Sequence, residues 1–317
     1  MQVSVKKIVV LGTGGTIAGT AAQAGDNIGY TAAQVGVGDL LAAVPGLEAV
    51  AGGALVVEQV AQVDSKDMEF GIWHTLAQRC AACMDDPAVG GIVITHGTDT
   101  IEETAWFLHS VLAAHKPVVL TCAMRPATAL VPDGPQNLLD AVSVAATAGA
   151  HGVVVVAAGT IHGAERVQKV HPYRVDPFSS ADAGPLGWVE EGAARLVHGW
   201  PQPVRQAHSA AVLGRPADAA WPWVELVVSH AGASGRAVDA LVRDGVQGLV
   251  VACTGNGTIH HALEAALARA QAVGVRVLRS TRCSEGQLLP KPGDAIAAAP
   301  GLSPVKARIG LVLELLG

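Results

Sequence analysis

Residues 8–16, with the sequence IVVLGTGGT, decide the fold because a short β-branched run ends in a loop of glycines and threonines. The same order recurs at 91–99 (GIVITHGTD), 118–126 (VVLTCAMRP) and 153–160 (VVVVAAGT). Segments with a helical pattern lie between these runs. Strands that alternate with helices predict βαβ units around a mainly parallel sheet. Ligands of such sheets bind beyond the carboxyl ends of the strands, where these polar loops lie.

The pattern fails between about residues 190 and 221, a stretch rich in Gly, Pro, Ala and His without sustained periodicity. It resumes at 223–228 and continues to a last amphipathic helix over 304–316. We therefore predict two α/β domains with mainly parallel sheets. The larger N-terminal domain spans 1–192, a linker spans 193–221, and the smaller C-terminal domain spans 222–317.

The composition is typical of a globular chain and excludes several classes of protein. Of 317 residues, 50% are hydrophobic and 15% charged. The most apolar runs, such as 153–158, last only six residues, whereas a bilayer helix needs about 20. The net charge of −6 without a basic cluster argues against nucleic-acid binding. We expect neither a membrane nor a nucleic-acid partner.

Cysteine use and the N-terminus bear on the cellular compartment. Five cysteines are an odd number and favour a reducing cytoplasm over a disulfide framework. Cys80 and Cys83 form a C-x-x-C within a helical stretch. Core packing is the favoured interpretation of this pair, and metal or redox chemistry is the alternative. The first residues show no secretory pattern, so we expect a cytoplasmic protein, or a periplasmic one if a leader has been removed.

The first loop contains the candidate nucleophile. A dinucleotide-binding turn requires a third glycine where Ile17 stands, and no Gly-Lys-Ser/Thr of a P-loop is present. Glycines here would instead let the backbone approach a small ligand. Thr16 could then present its hydroxyl to an electrophilic carbon, although a threonine needs activation for this. The alternative role for Thr16 is a helix N-cap.

The second loop is too rich in polar side chains for a plain turn. Thr100 with Glu103 matches a capping box, so we predict that the following helix begins here. Thr98 and Asp99 then lie at its N-terminal end, where the helix dipole favours negative charge. Asp99 could pair with a substrate ammonium. His96 is a candidate base, but a structural role is the favoured interpretation.

The motifs TGGTIAG (13–19) and HGTDTIEETA (96–105) resemble the two signature motifs of bacterial-type L-asparaginases, a family that includes glutaminase-asparaginases. The similarity extends nearly end to end through shorter blocks at 30–45, 64–68, 123–138, 184–187, 255–257 and 306–308.

The resemblance implies hydrolysis of L-asparagine to L-aspartate and ammonia through an acyl-enzyme ester on Thr16. Tyr30, on a loop that can close, would orient or polarise Thr16. Lys169 would keep Thr98 ready to assist the attack or to activate water. Asp99 would hold the substrate α-ammonium and Ser65 the α-carboxylate, with Gly15 also at the substrate.

The resemblance also implies a homotetramer, a dimer of dimers in which the partner's second domain completes each site. The candidate residues for that contribution are Asn256, Thr258 and Glu285. Thr258 stands where the family often has asparagine, and Glu285 lies in a segment that aligns poorly. Lys66 replaces a common glutamine, so the preference between L-asparagine and L-glutamine stays open. We expect no cofactor and no metal site.

Two other classes of protein compete with this interpretation. A nicotinamide-dependent oxidoreductase would also have two α/β domains, but the glycine fingerprint is broken at Ile17. A catalytically silent amino-acid sensor could use the same scaffold, although every side chain expected to be catalytic is present.

Overall fold

The computed structural model of the protein describes residues 6–23, 25–203 and 208–317. The chain divides into two compact units, Met1–Ser209 and Ala210–Gly317. This division falls inside the stretch that the sequence analysis assigns to the linker, whose exact bounds stay a prediction. Residues 1–5, which bear on the expected absence of a leader, and linker residues 204–207 lie outside the described residues.

The first unit is built on one large sheet and one small hairpin. Its described strands are β1 (Lys7–Gly14), β2 (Leu55–Val63), β3 (Val89–Thr95), β4 (Pro117–Thr121), β5 (Gly152–Ala157), β6 (Thr160–Gly163), β7 (Gln168–Lys169), β8 (Phe178–Ser179), β9 (Gly187–Glu190) and β10 (Ala193–Leu196). Eight form a sheet of order β10-β9-β6-β5-β4-β3-β1-β2, and β7 pairs with β8 separately.

Strands β1 to β5 are parallel, which confirms the prediction of a mainly parallel sheet. Strands β6, β9 and β10 extend this sheet in antiparallel pairs. The edge strand β10 lies in the stretch expected to be linker. Its residues Ala-Ala-Arg-Leu alternate between exposed and half-buried, so it lacks the apolar run that marks a buried strand.

The described helices of the first unit are α1 (Val37–Ala42), α2 (Leu47–Ala51), α3 (Phe70–Asp85), α4 (Ile101–Val111) and α5 (Gly134–Ala146). A short helix, α6 (Ser209–Leu213), begins at the last residue of this unit and continues past the boundary. Every residue of β4 and β5 is buried. Valines of the central strands pack against Leu138 and Ala141 of α5 in one core cluster. This core accounts for the short, fully apolar runs of the sequence.

The strand order reverses between β1 and β3, because β2 lies on one side of β1 while β3 and β4 lie on the other. In the β1–β3 register, Gly12 faces Thr95. The loops that follow these two strands therefore leave the sheet side by side, at the switch point where open α/β sheets bind ligands.

The second unit is a smaller parallel α/β sheet. Its strands β11 (Val224–Val228), β12 (Gly248–Cys253), β13 (Arg276–Thr281) and β14 (Ala297–Ala298) pair in chain order. Helices α7 (Arg236–Arg243), α8 (His261–Ala272) and α9 (Pro304–Glu314) accompany them. The core of this unit includes Leu249, Val251, Leu263 and Leu267. Both units are thus α/β, as predicted.

No helix within the described residues combines the length and the apolar character that crossing a membrane requires. The longest, α3, has 16 residues.

Candidate active site

The loop after β1 approaches the loop after β3 so closely that only glycine fits at the contact. Gly15 has φ +84°, and a Cβ there would overlap the backbone of Gly97. A Cβ on Gly97 would in turn lie 2.5 Å from the Oγ of Ser65. Thr13 also donates to the carbonyl of Thr95 at 2.8 Å, which ties the two strand ends together. These contacts hold Thr16 beside the second loop.

Thr16 begins a 3-10 turn, Thr16–Ala18, and its side chain is 7% exposed. Its hydroxyl lies 2.7 Å from the hydroxyl of Tyr30, and either oxygen can donate. The Tyr30 loop is pinned at its base, because Thr20 and Thr31 exchange two backbone hydrogen bonds of 2.9 Å. The Tyr30 ring packs against the backbone of Gly19, where a Cβ would meet its Cδ2 at 2.9 Å. The phenol is thereby held at the Thr16 oxygen.

Thr98, Asp99 and Lys169 form a second polar group. The Lys169 ammonium donates to Thr98 Oγ at 2.8 Å and to Asp99 Oδ1 at 2.5 Å. An ammonium has three donors and no acceptor, so the Thr98 oxygen accepts from Lys169 and keeps its own proton for another partner. The Lys169 side chain is 15% exposed and that of Asp99 is 54% exposed. The carboxylate therefore faces both the lysine and the solvent side of the site.

Ser65 connects this group to the first loop. It lies in the 3-10 turn Ser65–Asp67 and is 2% exposed. Its Oγ accepts from the backbone N–H of Asp99 at 3.2 Å, and its carbonyl accepts from the Thr100 hydroxyl at 2.7 Å. The predicted capping box at Thr100 is wrong, because the Thr100 hydroxyl accepts no hydrogen bond from the backbone of its helix. The helix nevertheless begins at Ile101, so Thr98 and Asp99 precede its first turn as expected.

His96 is completely buried and part of a directed hydrogen-bond chain. Its Nδ1 donates to the Gly97 carbonyl at 2.7 Å, since a carbonyl can only accept. Its Nε2 accepts from Thr104 at 2.8 Å, and Thr104 accepts from the indole N–H of Trp73 at 2.7 Å. Burial lowers the pKa of His96 from 6.5 to about 4, against a smaller opposing effect of the Gly97 hydrogen bond. His96 is thus a neutral structural residue, the favoured interpretation of the sequence.

Sequence reasoning missed the two side chains that support His96. Trp73 stands on α3 and Thr104 on α4, 31 positions later in the chain. The helical spacing of Thr104 after Thr100 gives it a place on α4 but does not indicate a partner on another helix. No local sequence pattern predicts the hydrogen bond between Trp73 and Thr104.

The departures from the family pattern have defined positions. The Lys66 ammonium pairs with Asp64 at 3.1 Å and with Asp67 at 2.8 Å, and its side chain is 62% exposed. In the second unit, the Asn256 side chain bonds both backbone groups of Leu289. The Thr258 hydroxyl lies 2.8 Å from that of Thr254, and Glu285 is exposed. These three candidates for a cross-subunit role are described only within their own unit.

The cysteine pair belongs to the core. Cys80 and Cys83 are free and buried in α3. Burial raises the pKa of the Cys80 thiol far above its usual range, which opposes formation of a reactive thiolate. Across 6–23, 25–203 and 208–317, no three His, Cys, Asp or Glu side chains come together as a group able to hold a metal ion.

Comparisons with known proteins agree along almost the whole chain. The family described as "Asparaginase, N-terminal" matches residues 7–201, and the "Glutaminase/Asparaginase C-terminal domain" matches residues 223–316. L-asparaginase 2 of Escherichia coli K12 is 38% identical, with 97% of this chain and 88% of that protein covered. The glutaminase-asparaginase of Pseudomonas fluorescens biotype A is 36% identical, with 95% and 84% covered.

A solved structure is similar as well. The probable cytoplasmic L-asparaginase from Campylobacter jejuni superposes with a TM-score of 0.88 at 36% identity. The match covers 98% of this chain and 95% of that one. Sequence and structure comparisons thus both identify relatives that are named as asparaginases.

Proposed function

This chain belongs to the asparaginase family, and we propose that it hydrolyses L-asparagine to L-aspartate and ammonia with Thr16 as the nucleophile. The observation that carries the proposal is the 2.7 Å contact between Thr16 and Tyr30 at the switch point of the sheet. A threonine hydroxyl needs a partner that takes or orients its proton, and the phenol is at hydrogen-bond distance for that role.

In the first half-reaction, the Thr16 oxygen attacks the side-chain amide carbon of asparagine. Its proton leaves through the Tyr30 hydroxyl, and negative charge develops on the amide oxygen. The backbone N–H of Thr98 is a suitable donor for this oxyanion, because it donates to no protein acceptor in the described part of the chain. The tetrahedral intermediate collapses when the amide nitrogen takes this proton from the Tyr30 hydroxyl, the C–N bond breaks and ammonia departs, which leaves an ester on Thr16.

In the second half-reaction, water attacks the ester carbon and restores Thr16. Thr98 would orient this water. The Thr98 oxygen accepts from Lys169, which leaves the Thr98 O–H available to contact the water. The water supplies the hydroxyl of the new carboxylic acid, and its other proton returns to the Thr16 oxygen. The two steps consume one water and release one aspartate and one ammonia.

Substrate charges would be recognised by Asp99 and Ser65. Asp99 Oδ1 is bonded to Lys169, which leaves the second carboxylate oxygen to pair with the α-ammonium. Ser65 Oγ accepts from the Asp99 N–H, so its one hydrogen can be donated to the α-carboxylate. A closed Tyr30 loop would exclude water and strengthen both contacts.

L-glutamine is a second candidate substrate, because three relatives at 36%, 35% and 34% identity carry the name glutaminase-asparaginase. We also propose a homotetramer in which Asn256, Thr258 and Glu285 serve a neighbouring subunit's site. We place the protein in the cytoplasm, in keeping with its five free cysteines.

The deciding experiment follows ammonia release from L-asparagine and, separately, from L-glutamine. Thr16→Ala should abolish release, while the matched variant Thr20→Ala should retain it. The glutamine rate decides the substrate preference. Ammonia release that survives in Thr16→Ala would reject the nucleophile. Binding of aspartate by a folded wild-type protein that releases no ammonia would favour the amino-acid sensor instead.

A further inference from the structure

Lys169 stands on a short element outside the large sheet. Strand β7 consists of only Gln168 and Lys169, and its partner β8 has two residues. In the pairing register Lys169 faces Phe178, and this hairpin is separate from the eight-stranded sheet. Yet the Lys169 ammonium must meet both Thr98 and Asp99 at hydrogen-bond distance. Something must tie the hairpin to the rigid sheet.

A buried histidine makes this connection. His162 lies on β6, a strand of the large sheet between β5 and β9, and is 4% exposed. Its Nδ1 lies 2.8 Å from the Oγ of Ser180, which is 3% exposed and directly follows β8. Its ring also meets the ring of Phe178 edge to face, with centroids 6.4 Å apart and planes at 63°. One side chain of the sheet thus contacts β8 at the residue opposite Lys169 and at the residue after the strand.

We propose that His162 is a positioning residue, which fixes the Phe178–Ser180 side of the hairpin and thereby sets the Lys169 ammonium at Thr98 and Asp99. This inference rests on the proposed function, in which Lys169 acts on Thr98. His162 acts through the hairpin and needs no contact with substrate. A displacement of about 1 Å at a catalytic group can cost up to about a hundredfold in rate, so a loosened hairpin should be visible in kcat.

Two substitutions separate the hydrogen bond from simple burial. Asparagine places an amide nitrogen near the position of Nδ1 and can keep the contact with Ser180, whereas leucine fills the space without a polar atom. We expect His162→Leu to lower kcat for L-asparagine about tenfold or more, with a smaller change in KM. His162→Asn should stay within about threefold of wild type. His74→Leu is the matched control, because His74 is equally buried at 4% but lies on α3.

A double-mutant cycle with Lys169→Met provides a measurement that a general loss of stability would not reproduce. If His162 acts through Lys169, adding His162→Leu to Lys169→Met lowers kcat no further. Losses that multiply in the double variant would overturn the inference, as would a wild-type kcat for folded His162→Leu while Lys169→Met is impaired. A wild-type kcat for Lys169→Met would instead overturn the role of Lys169 in the proposed function, and the inference with it.

Discussion

The phenolic oxygen of Tyr30 lies 2.7 Å from the hydroxyl oxygen of Thr16, although 14 residues separate them. Two features hold this distance: the backbone pairing of Thr20 with Thr31 and the packing of the Tyr30 ring on Gly19. The phenol is therefore held in place by residues that directly follow the short turn carrying the nucleophile.

Removal of that phenolic oxygen tests its role directly. Tyr30→Phe keeps the ring on Gly19 but removes the hydrogen-bond partner of Thr16. We expect kcat for L-asparagine to fall by about 10²-fold or more, the usual contribution of a positioned proton-transfer group, with KM changed much less. Tyr173→Phe is the matched control, since Tyr173 is the other of the two tyrosines and is 59% exposed. Equal kcat values for both variants would mean that Tyr30 only packs.

The contact of Gly15 with Gly97 predicts a specific intolerance. Gly15→Ala should combine the strain of a positive φ with an extended ψ of −171°, about 1–3 kcal/mol, with an overlap against the Gly97 backbone. We expect a total loss of at least about 3 kcal/mol in the free energy of unfolding, together with loss of activity. Gly184→Ala is the control, because Gly184 has a similar backbone conformation, with φ +69° and ψ +166°, and nothing within 4 Å of the added Cβ. Chemical denaturation that gave both variants the same stability would refute the close approach.

The central strands and the two loops could be predicted from sequence because their signals are local. A fully buried parallel strand must be an apolar run, and Gly-Thr clusters mark the loops at the strand ends. Strand β10 could not be predicted in this way, because its residues are alternately exposed and half-buried. In addition, neither Ala nor Arg is among the residue types enriched in strands. The prediction of a linker from residue 193 overlapped it for this reason.

In the site, too, features set by neighbouring residues could be predicted, whereas contacts between residues distant in sequence could not. The capping box at Thr100 fits the local pattern, yet the hydroxyl donates to Ser65, 35 residues earlier in the chain. Thr16 could be predicted from the sequence of its own loop, whereas Tyr30, Ser65 and Lys169 were predicted only through the resemblance to a family. Trp73 and Thr104 were predicted neither from local sequence nor from the resemblance, because nothing near either residue in sequence indicates that they contact each other.

Burial of a neutral histidine should make stability depend on pH. The pKa of His96 is lowered from 6.5 to about 4 in the folded protein, so between these values the unfolded chain binds a proton that the folded one does not. Stability linked to His96 is therefore fully present above about pH 6.5 and is lost as pH falls towards 4, by up to about 3 kcal/mol.

This pH dependence can be isolated by comparing urea unfolding of wild type and His96→Gln between pH 4 and 7.5. Glutamine retains a donor and an acceptor but does not titrate. The difference in unfolding free energy between the two proteins should shrink as pH falls through this window. A constant difference would show that His96 titrates alike in the folded and unfolded chains. Changes at other groups, such as Asp140, whose pKa burial raises, are common to both proteins and cancel.

The position of Lys66 predicts that its charge has little influence on the substrate. Hydrogen bonds to Asp67 and Asp64 raise the pKa of Lys66, and the two carboxylates more than neutralise the charge of the one exposed ammonium. Exposed pairs of this kind contribute little energy, so Lys66→Gln should change kcat/KM for L-asparagine by less than about threefold, with an unchanged ratio to L-glutamine.

Asp99→Asn provides the contrasting variant. It removes the charge proposed to hold the α-ammonium, and a charge-assisted hydrogen bond is worth about 1.5–3 kcal/mol, or roughly ten- to a hundredfold in KM. If Lys66→Gln instead altered KM as strongly as Asp99→Asn, the Lys66 ammonium would have to leave Asp64 and Asp67 when substrate binds. Position 66, where the family commonly has glutamine, would then help to determine the preference between L-asparagine and L-glutamine.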